Sequence, residues 1–234
     1  MAHTLKEAAY ETIRGKLISG EYAPGSRLSD DSIAREIGIS RSPVREAINQ
    51  FVSEGFVEYR PRCGTYVRSL SWQEFSDLWG VRMALESHAA MEAVDCATRD
   101  DIEELDSLNG EILQLARCCR ELSDHVADAA LKKRFLHLDS EFHLGILAAA
   151  GNRRLMKIVQ DCRLMALLFG RHHSRLRITA DLLMLCHRDH ALIVKAIQNS
   201  DRDNAREWTV SHIRAARDRA MAWQPPGEVT KESA

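Results

Sequence analysis

The chain has 234 residues, of which 45% are hydrophobic, and a formal net charge of −2. This length accommodates two domains of ordinary size with a substantial buried core. The charge excludes a protein that coats nucleic acid through bulk positive charge, because residues 1–70 carry a net of +1 and the remainder a net of −3. Affinity for DNA would therefore depend on where individual arginines lie.

Cysteine spacing argues against both a disulfide framework and a zinc finger. The six cysteines include no C-x-x-C pair. The chain also lacks a secretory signal and an apolar run of spanning length, so we expect a cytoplasmic protein with reduced thiols and no membrane partner. The adjacent pair Cys118-Cys119 could sense redox state, although two small apolar residues on a helix face are the commoner explanation.

The first predicted helix covers residues 5–19. Apolar residues recur in it at helical spacing, and Gly20 follows its end. They are Tyr10, Ile13, Leu17 and Ile18. We expect this helix to pack behind two further helices.

Two short helices joined by a tight turn are predicted next. Ile33 and Ile37 lie four residues apart on one face of the first, and Gly38 ends it because glycine tolerates the left-handed conformation. The second opens with Pro43 and runs to Gly55. Its buried stripe comprises Val44, Ile48, Phe51 and Val52.

A two-stranded hairpin follows, with strands at 56–59 and 65–67 around a turn at 61–64. Two helices followed by a hairpin are typical of a winged helix-turn-helix, in which the second helix begins in the major groove of DNA. Arginine there can pair with guanine, and serine can bind phosphate. The polar residues at this helix start are Ser40, Arg41, Ser42 and Arg45. A solvated helix start with ordinary surface arginines is the alternative.

Residues 22–67 resemble the DNA-binding domain of the GntR family of bacterial transcription regulators. The similarity rests on Ala23-Pro24-Gly25-Ser26-Arg27-Leu28, Gly38-Ile39-Ser40-Arg41-Ser42-Pro43-Val44-Arg45-Glu46-Ala47 and Glu54-Gly55-Phe56-Val57. It implies operator contacts from Ser40, Arg41, Ser42 and Arg45, with Arg62 and Gly64 of the wing near the minor groove or backbone. Some relatives carry a DNA-contacting Arg where this chain has Asp30-Asp31, so no contact is carried over to Asp31. Nearby Arg35 is a candidate for a phosphate contact.

Residues 69–72 mark a domain boundary, because the sequence after them has helical periodicity and no pattern typical of strands. The sequence predicts a winged domain at 1–70, a helical domain at 71–223 and a polar tail at 224–234 that we expect to be disordered. The predicted helices are 71–95, 98–120, 125–150, 152–172, 178–199 and 202–223. Their short connections favour an antiparallel all-helical bundle, in which facing side chains can build a buried site. The expected fold class is therefore mainly α.

Histidine placement in the predicted bundle suggests a metal site. Asp139 and His143 are four residues apart on one helix face. His190 lies eleven residues before Asp201 and His212 eleven after it. If Asp201 sits at the turn of a helical hairpin, both imidazoles stand about 16 Å from that turn at equal depth.

One carboxylate and three imidazoles that converge would suit a divalent transition metal. Each histidine by itself is more often a surface or capped group than a ligand. His172, His173 and His187 do not fit the matched spacing, and His187 is the residue most easily mistaken for His190.

Residues 71–222 resemble the FadR-type C-terminal effector domain, known as FCD. Its D-x-x-F-H element is matched by Asp139-Ser140-Glu141-Phe142-His143, and one of its helix connections by Ala149-Ala150-Gly151-Asn152. Two further segments, from His190 to Ile197 and from Ser211 to Ile213, resemble those that supply the third and fourth ligands. The match to the metal-binding branch implies Asp139, His143, His190 and His212 as ligands. Zinc is the metal implied most often, with nickel or manganese as alternatives.

Members of this family commonly sense small organic acids, and an arginine in a polar cavity can clamp a carboxylate. Arg82 matches a family position on the first bundle helix, and Arg163 and Arg171 are further candidates. A salt bridge between Arg82 and Glu86, four residues on, is an equally good interpretation.

We therefore expect a homodimeric transcription regulator, a repressor, that reads a pseudo-palindromic operator under control of a carboxylate effector beside the metal. A metal-dependent enzyme in which Glu141 helps activate water is one alternative. It is disfavoured because the sequence has no nucleophile motif, phosphate loop or H-E-x-x-H element. A purely structural metal with a protein signal is another.

Overall fold

The computed structural model describes residues 4–170 and 177–222. These residues divide into two units. The first contains residues 4–75 and 163–170, and the second contains residues 76–162 and 177–222. The predicted tail at 224–234 and Arg171 lie outside the described residues.

The first unit is a winged helix-turn-helix. Its elements are α1 (Leu5–Ser19), β1 (Arg27–Leu28), α2 (Asp30–Ile37), α3 (Arg41–Ser53), β2 (Val57–Arg60) and β3 (Gly64–Val67). The strands form an antiparallel sheet in the order β1-β3-β2, with Arg27 opposite Tyr66. The sequence indicated the hairpin but not β1, because two residues are too few to show an alternating pattern.

Glycine and serine set the turn between α2 and α3. Gly38 ends α2 with a φ of 75°, as its position predicts, and Ser40 is the N-cap residue of α3. The predicted start of α3 at Pro43 was two residues late, since the helix begins at Arg41. Proline fits the third helical position because backbone N–H groups in the first turn have no intrahelical partner.

Apolar side chains from α1 and α3 meet in the core of this unit. Ile13, Leu17, Val44 and Phe51 are fully buried, as the helical spacing predicts. The ring of Tyr10 stacks on Phe51 with centroids 4.3 Å apart. Burial of side chains of this size is worth about 1.5–3 kcal/mol each, which fixes α3 against α1.

The second unit is helical. Its helices are α4 (Trp72–Cys96), α5 (Arg99–Glu121), α6 (Ala129–Ala149), α7 (Arg153–Gly170), α8 (Ala180–Gln198) and α9 (Arg202–Met221), of which α4 and α7 extend into the first unit. The predicted start of α6 at residue 125 was wrong. Asp128 caps the helix by accepting a hydrogen bond from the Leu131 N–H, and Val126 instead pairs with Thr179.

Helix α5 packs against α6 and α8, and α8 packs against α9. A close approach between α5 and α6 occurs at Gly145, where a Cβ would lie 2.9 Å from Cδ2 of Leu105. The core around it includes Phe142, Leu147 and Ile193, all at most 1% exposed. This packing places the inward faces of α6, α8 and α9 against one another. Within the described ranges, no helix has the length and apolar character that a bilayer crossing requires.

Candidate functional site

The helical hairpin α8–α9 positions two of the predicted metal ligands. Its turn contains Ser200, with a φ of 57°, and Asp201, which caps α9 by accepting a hydrogen bond from the Asn204 N–H. His190 on α8 and His212 on α9 therefore lie at equal depth on facing helices. Their Nε2 atoms are 3.3 Å apart.

Helix α6 brings a third imidazole and a carboxylate to the same point. Nε2 of His143 is 3.3 Å from Nε2 of His212. Oδ1 of Asp139 is 3.7 Å from Nε2 of His190 and 3.9 Å from Nε2 of His143. Four side chains from three helices thus direct one donor atom each into a common space.

The distances between imidazoles fit a shared metal ion. Zinc–nitrogen bonds of about 2.0–2.1 Å that meet at 90–109° separate the nitrogens by about 2.8–3.4 Å. The two observed separations of 3.3 Å fall in this range. The Asp139 distances are a few tenths of an ångström longer, a gap that a small rotation of its carboxylate would close. The donor set therefore fits a divalent transition metal.

Burial differs between the imidazoles and the carboxylate. The side chains of His143, His190 and His212 are at most 4% exposed, whereas that of Asp139 is 24% exposed. The ring of Phe142 stacks on His190 with centroids 3.7 Å apart. The imidazoles are thus buried, and Asp139 is the member of the set that reaches solvent.

Carboxylates on neighbouring helices contact the outer nitrogens of two of these imidazoles. Oε2 of Glu86, on α4, lies 2.8 Å from Nδ1 of His143, and Oδ2 of Asp189 lies 3.7 Å from Nδ1 of His212. Burial raises the pKa of Asp189, but its interactions with His212 and Arg188 outweigh burial and leave the pKa below its usual value. The Glu86 contact has hydrogen-bond length and fixes the tautomer that turns Nε2 of His143 towards a metal, whereas the distance from Asp189 to His212 is too long for a hydrogen bond.

Arg82 forms the salt bridge that was one of its two interpretations. Its Nε donates to Oε1 of Glu86 at 2.7 Å, both side chains are buried, and its guanidinium lies 4.6 Å from the Trp79 ring centre. The salt bridge also connects Arg82, through Glu86, to His143. Arg163 lies on the part of α7 that groups with the first unit.

Sequence reasoning missed one potential donor, Cys186. Its Sγ is 3.6 Å from Nε2 of His190 and 3.7 Å from Oδ1 of Asp139. With His212 these residues form a group whose donor atoms all lie within 4.8 Å of one another. Burial first, and then the charge of Asp139, raise the pKa of the Cys186 thiol well above its usual value. The spacing could have revealed it, because Cys186 precedes His190 by four residues as Asp139 precedes His143.

Other polar residues considered from the sequence lie elsewhere. Nδ1 of His187 is 3.1 Å from the carbonyl oxygen of Asn109 on α5, which explains why it does not join the cluster. Glu141 is exposed on α6 beside His137. Cys118 is exposed, while Cys119 is buried and its thiol donates to the His125 carbonyl. His172 and His173 are outside the described residues.

The predicted DNA contacts at the start of α3 are all exposed, and two of them form ion pairs with the start of α2. They are Ser40, Arg41, Ser42 and Arg45. Arg41 pairs with Asp31, and Arg45 donates to Asp30 at 2.9 Å. The Ser40 side chain makes no capping hydrogen bond. The acidic departure from the family pattern therefore lies directly against the arginines that would read DNA.

The remaining predicted contacts lie on the wing and on α2. Arg62 is exposed with a φ of 65°, at the tip of the hairpin. Gly64 has a φ of 113°, and a Cβ there would lie 2.9 Å from Nε of Arg27, so a larger residue would displace that side chain. Arg35 is also exposed, with its Nε 3.2 Å from the carbonyl oxygen of Asp31.

Two family models match the chain. Residues 5–67 match the model described as bacterial regulatory proteins, gntR family, and residues 77–215 match that of the FCD domain. The Nta operon transcriptional regulator of Aminobacter aminovorans is 26% identical over 208 residues, which are 87% of this chain and 89% of that protein. The gluconate operon transcriptional repressor of Bacillus licheniformis is 26% identical over 193 residues, 82% of this chain and 74% of that protein.

Among solved structures, that of E. coli McbR/YncC has a TM-score of 0.76 at 19% identity, and the match covers 94% of this chain and 99% of that one. A Rhodococcus sp. RHA1 protein described as a putative transcriptional regulator has a TM-score of 0.67 at 16% identity, with coverage of 94% and 99%. These similarities show that the two proteins share the fold of this chain.

Proposed function

The chain belongs to the GntR family of bacterial transcription regulators, with an FCD domain, and on this basis we propose that it is a metal-dependent sensor of a small carboxylate that represses transcription. The observation that carries the proposal is the convergence of three buried imidazoles and one partly exposed carboxylate in the FCD domain, seen in the contacts of His143 and His190 with His212 and with Asp139. Membership of a regulator family also decides against the enzyme alternative.

Asp139, His143, His190 and His212 would hold the metal. A divalent metal would supply a positively charged centre that attracts an anionic oxygen ligand. Because most of the donors are imidazoles, zinc is the first choice, with nickel next and manganese disfavoured by its preference for oxygen. Phe142 and Glu86 would orient His190 and His143 for this role.

The exposed side of Asp139 would admit the effector. Arg82 has five N–H donors, and the bond from Nε to Glu86 leaves its terminal groups for a carboxylate. Arg163 and Arg171 are weaker proposals for the same role. An organic acid as the chemical class is supported by the name of one relative, the gluconate operon transcriptional repressor, which refers to an operon named after an organic acid.

The DNA contacts we propose are Arg41 and Arg45 on base edges, Ser40, Ser42 and Arg35 on phosphates, and Arg62 and Gly64 of the wing beside the backbone. Two copies of the chain would form a homodimer, because one α3 reads only a half-site and a pseudo-palindromic operator matches a two-fold axis. The effector would bind more tightly to one of two conformations of the protein, and the two conformations would differ in operator affinity. The difference between the effector's binding free energies for the two conformations sets the largest change in operator affinity that it can cause.

The test begins with metal analysis of the full chain purified without chelators, followed by thermal unfolding with a panel of small carboxylic acids in metal-loaded and chelated protein. We expect bound metal, and an acid that raises the melting temperature only when metal is present and that changes operator affinity. Loaded protein on which no acid acts would indicate a structural metal. Protein that binds no divalent metal would overturn the proposal.

A further inference from the structure

We propose that Cys186 is a thiolate ligand of the same metal, so that the centre has a sulfur donor in addition to its nitrogen and oxygen donors. The proposal rests on the proposed metal site and adds to it a residue outside the Asp-and-three-His set. Sulfur would change which metals the regulator accepts.

Geometry supports a ligand at this position. A zinc–sulfur bond of about 2.3 Å and a second bond to nitrogen or oxygen at 90–109° separate the two donors by about 3.1–3.7 Å. Sγ of Cys186 lies 3.6 Å from Nε2 of His190 and 3.7 Å from Oδ1 of Asp139. Both distances therefore suit neighbouring positions on one ion.

The surroundings of Cys186 distinguish it from the other buried cysteine of the described chain. Cys119 is also fully buried, but its thiol donates to a backbone carbonyl, that of His125, at 3.3 Å. The Cys186 thiol instead donates to a carboxylate oxygen, that of Asp139, and has an imidazole nitrogen of His190 beside its sulfur. Its sulfur lies within 4.8 Å of the donor atoms of Asp139, His190 and His212. An ordinary core cysteine needs no such neighbours.

Helix geometry accounts for this placement. Cys186 and His190 are one turn apart on α8, and Asp139 and His143 are one turn apart on α6, so each helix presents two donors to the same space. When a metal binds, the thiol releases its proton to solvent and the sulfur lone pair forms the bond to the ion. A soft thiolate favours zinc or cobalt over manganese, which prefers oxygen.

Cobalt(II) provides a direct test because a cobalt–thiolate bond gives a near-ultraviolet charge-transfer band that nitrogen and oxygen ligands do not. The full chain is stripped of metal and titrated with Co²⁺ alone, and the absorption spectrum is compared for the parent, Cys186→Ser and Cys119→Ser. We expect the band in the parent and in Cys119→Ser and its loss in Cys186→Ser, while the visible d–d bands of bound cobalt persist in all three.

Each outcome separates the two proposals. Visible cobalt bands without a charge-transfer band in the parent would overturn the role of Cys186 and leave the metal site intact. Failure of the parent to bind Co²⁺ or Zn²⁺ would overturn both. Should Cys186→Ser fold poorly, Cys186→Ala takes its place, and the ratio of Zn²⁺ affinity to Mn²⁺ affinity is measured for the parent and for this variant. A thiolate ligand predicts a larger ratio in the parent, and equal ratios would overturn the proposal.

Discussion

Glu86 joins Arg82 to His143 through the two oxygens of one buried carboxylate. Its Oε1 accepts from Nε of Arg82 at 2.7 Å, and its Oε2 lies 2.8 Å from Nδ1 of His143. The carboxylate holds a proton on Nδ1 and so turns the lone pair of Nε2 towards the cluster. The residue considered as an effector clamp is therefore connected to a proposed metal ligand by a single side chain.

Replacing Glu86 with Gln should lower metal affinity about 10- to 100-fold, the effect typical of losing an outer-shell carboxylate. Gln keeps the shape but removes the charge that orients and polarises His143. Competition with a chromophoric chelator measures the change. Glu103→Gln is the control, because Glu103 forms an exposed ion pair with Arg99 at the same four-residue spacing. Equal affinities in parent and Glu86→Gln would contradict the assigned role.

His190→Ala should reduce metal affinity by more than about 100-fold. The loss should exceed that of Glu86→Gln because the substitution removes a metal-binding atom and not only a residue that orients one. His187→Ala is the matched control on the same helix, since His187 contacts the Asn109 carbonyl and not the cluster. Metal content after dialysis distinguishes the two. We expect His187→Ala to retain metal, and a loss equal to that of His190→Ala would show that the effect comes from the helix rather than the ligand.

Arg45→Ala should weaken binding to a specific operator by about 1–3 kcal/mol, the cost of one lost arginine–guanine contact, and leave metal content unchanged. The operator is first selected from random duplexes with the parent protein, and affinity is then measured at fixed salt. Arg14→Ala is the control, because Arg14 is an exposed arginine on α1 paired with Glu11. Parent-like binding by Arg45→Ala would show that the reading helix is misassigned.

Asp30→Asn should strengthen binding to DNA of any sequence by up to about 1 kcal/mol, the upper range for an exposed ion pair. The change frees Arg45 from its 2.9 Å contact and removes a negative charge beside the phosphates. The affinity for a scrambled duplex, measured across a salt series, tests this. Asp203→Asn on α9 is the control, and weaker non-specific binding by Asp30→Asn would contradict the expectation.

Local signals accounted for the parts of the fold that depend on neighbours in sequence. The bounds of α1, the glycine that ends α2 and most bounds in the helical unit follow from apolar spacing and capping residues. The errors occurred where a distant partner competes. Thr179 pairs with Val126 and so delays the start of α6, and Tyr66 pairs with Arg27 to create β1.

The sequence by itself determined a winged helix-turn-helix, a helical second domain and the equal depth of His190 and His212, because helical rise and periodicity convert spacing into position. Only the tertiary structure decided that Cys186 joins these donors, that Glu86 supports His143 and that Asp30 faces Arg45. The Asp30–Arg45 and Glu86–His143 contacts join residues that are 15 and 57 positions apart. The position of Cys186 depends on which face of α8 turns inward. Packing between elements, rather than local propensity, selects that face.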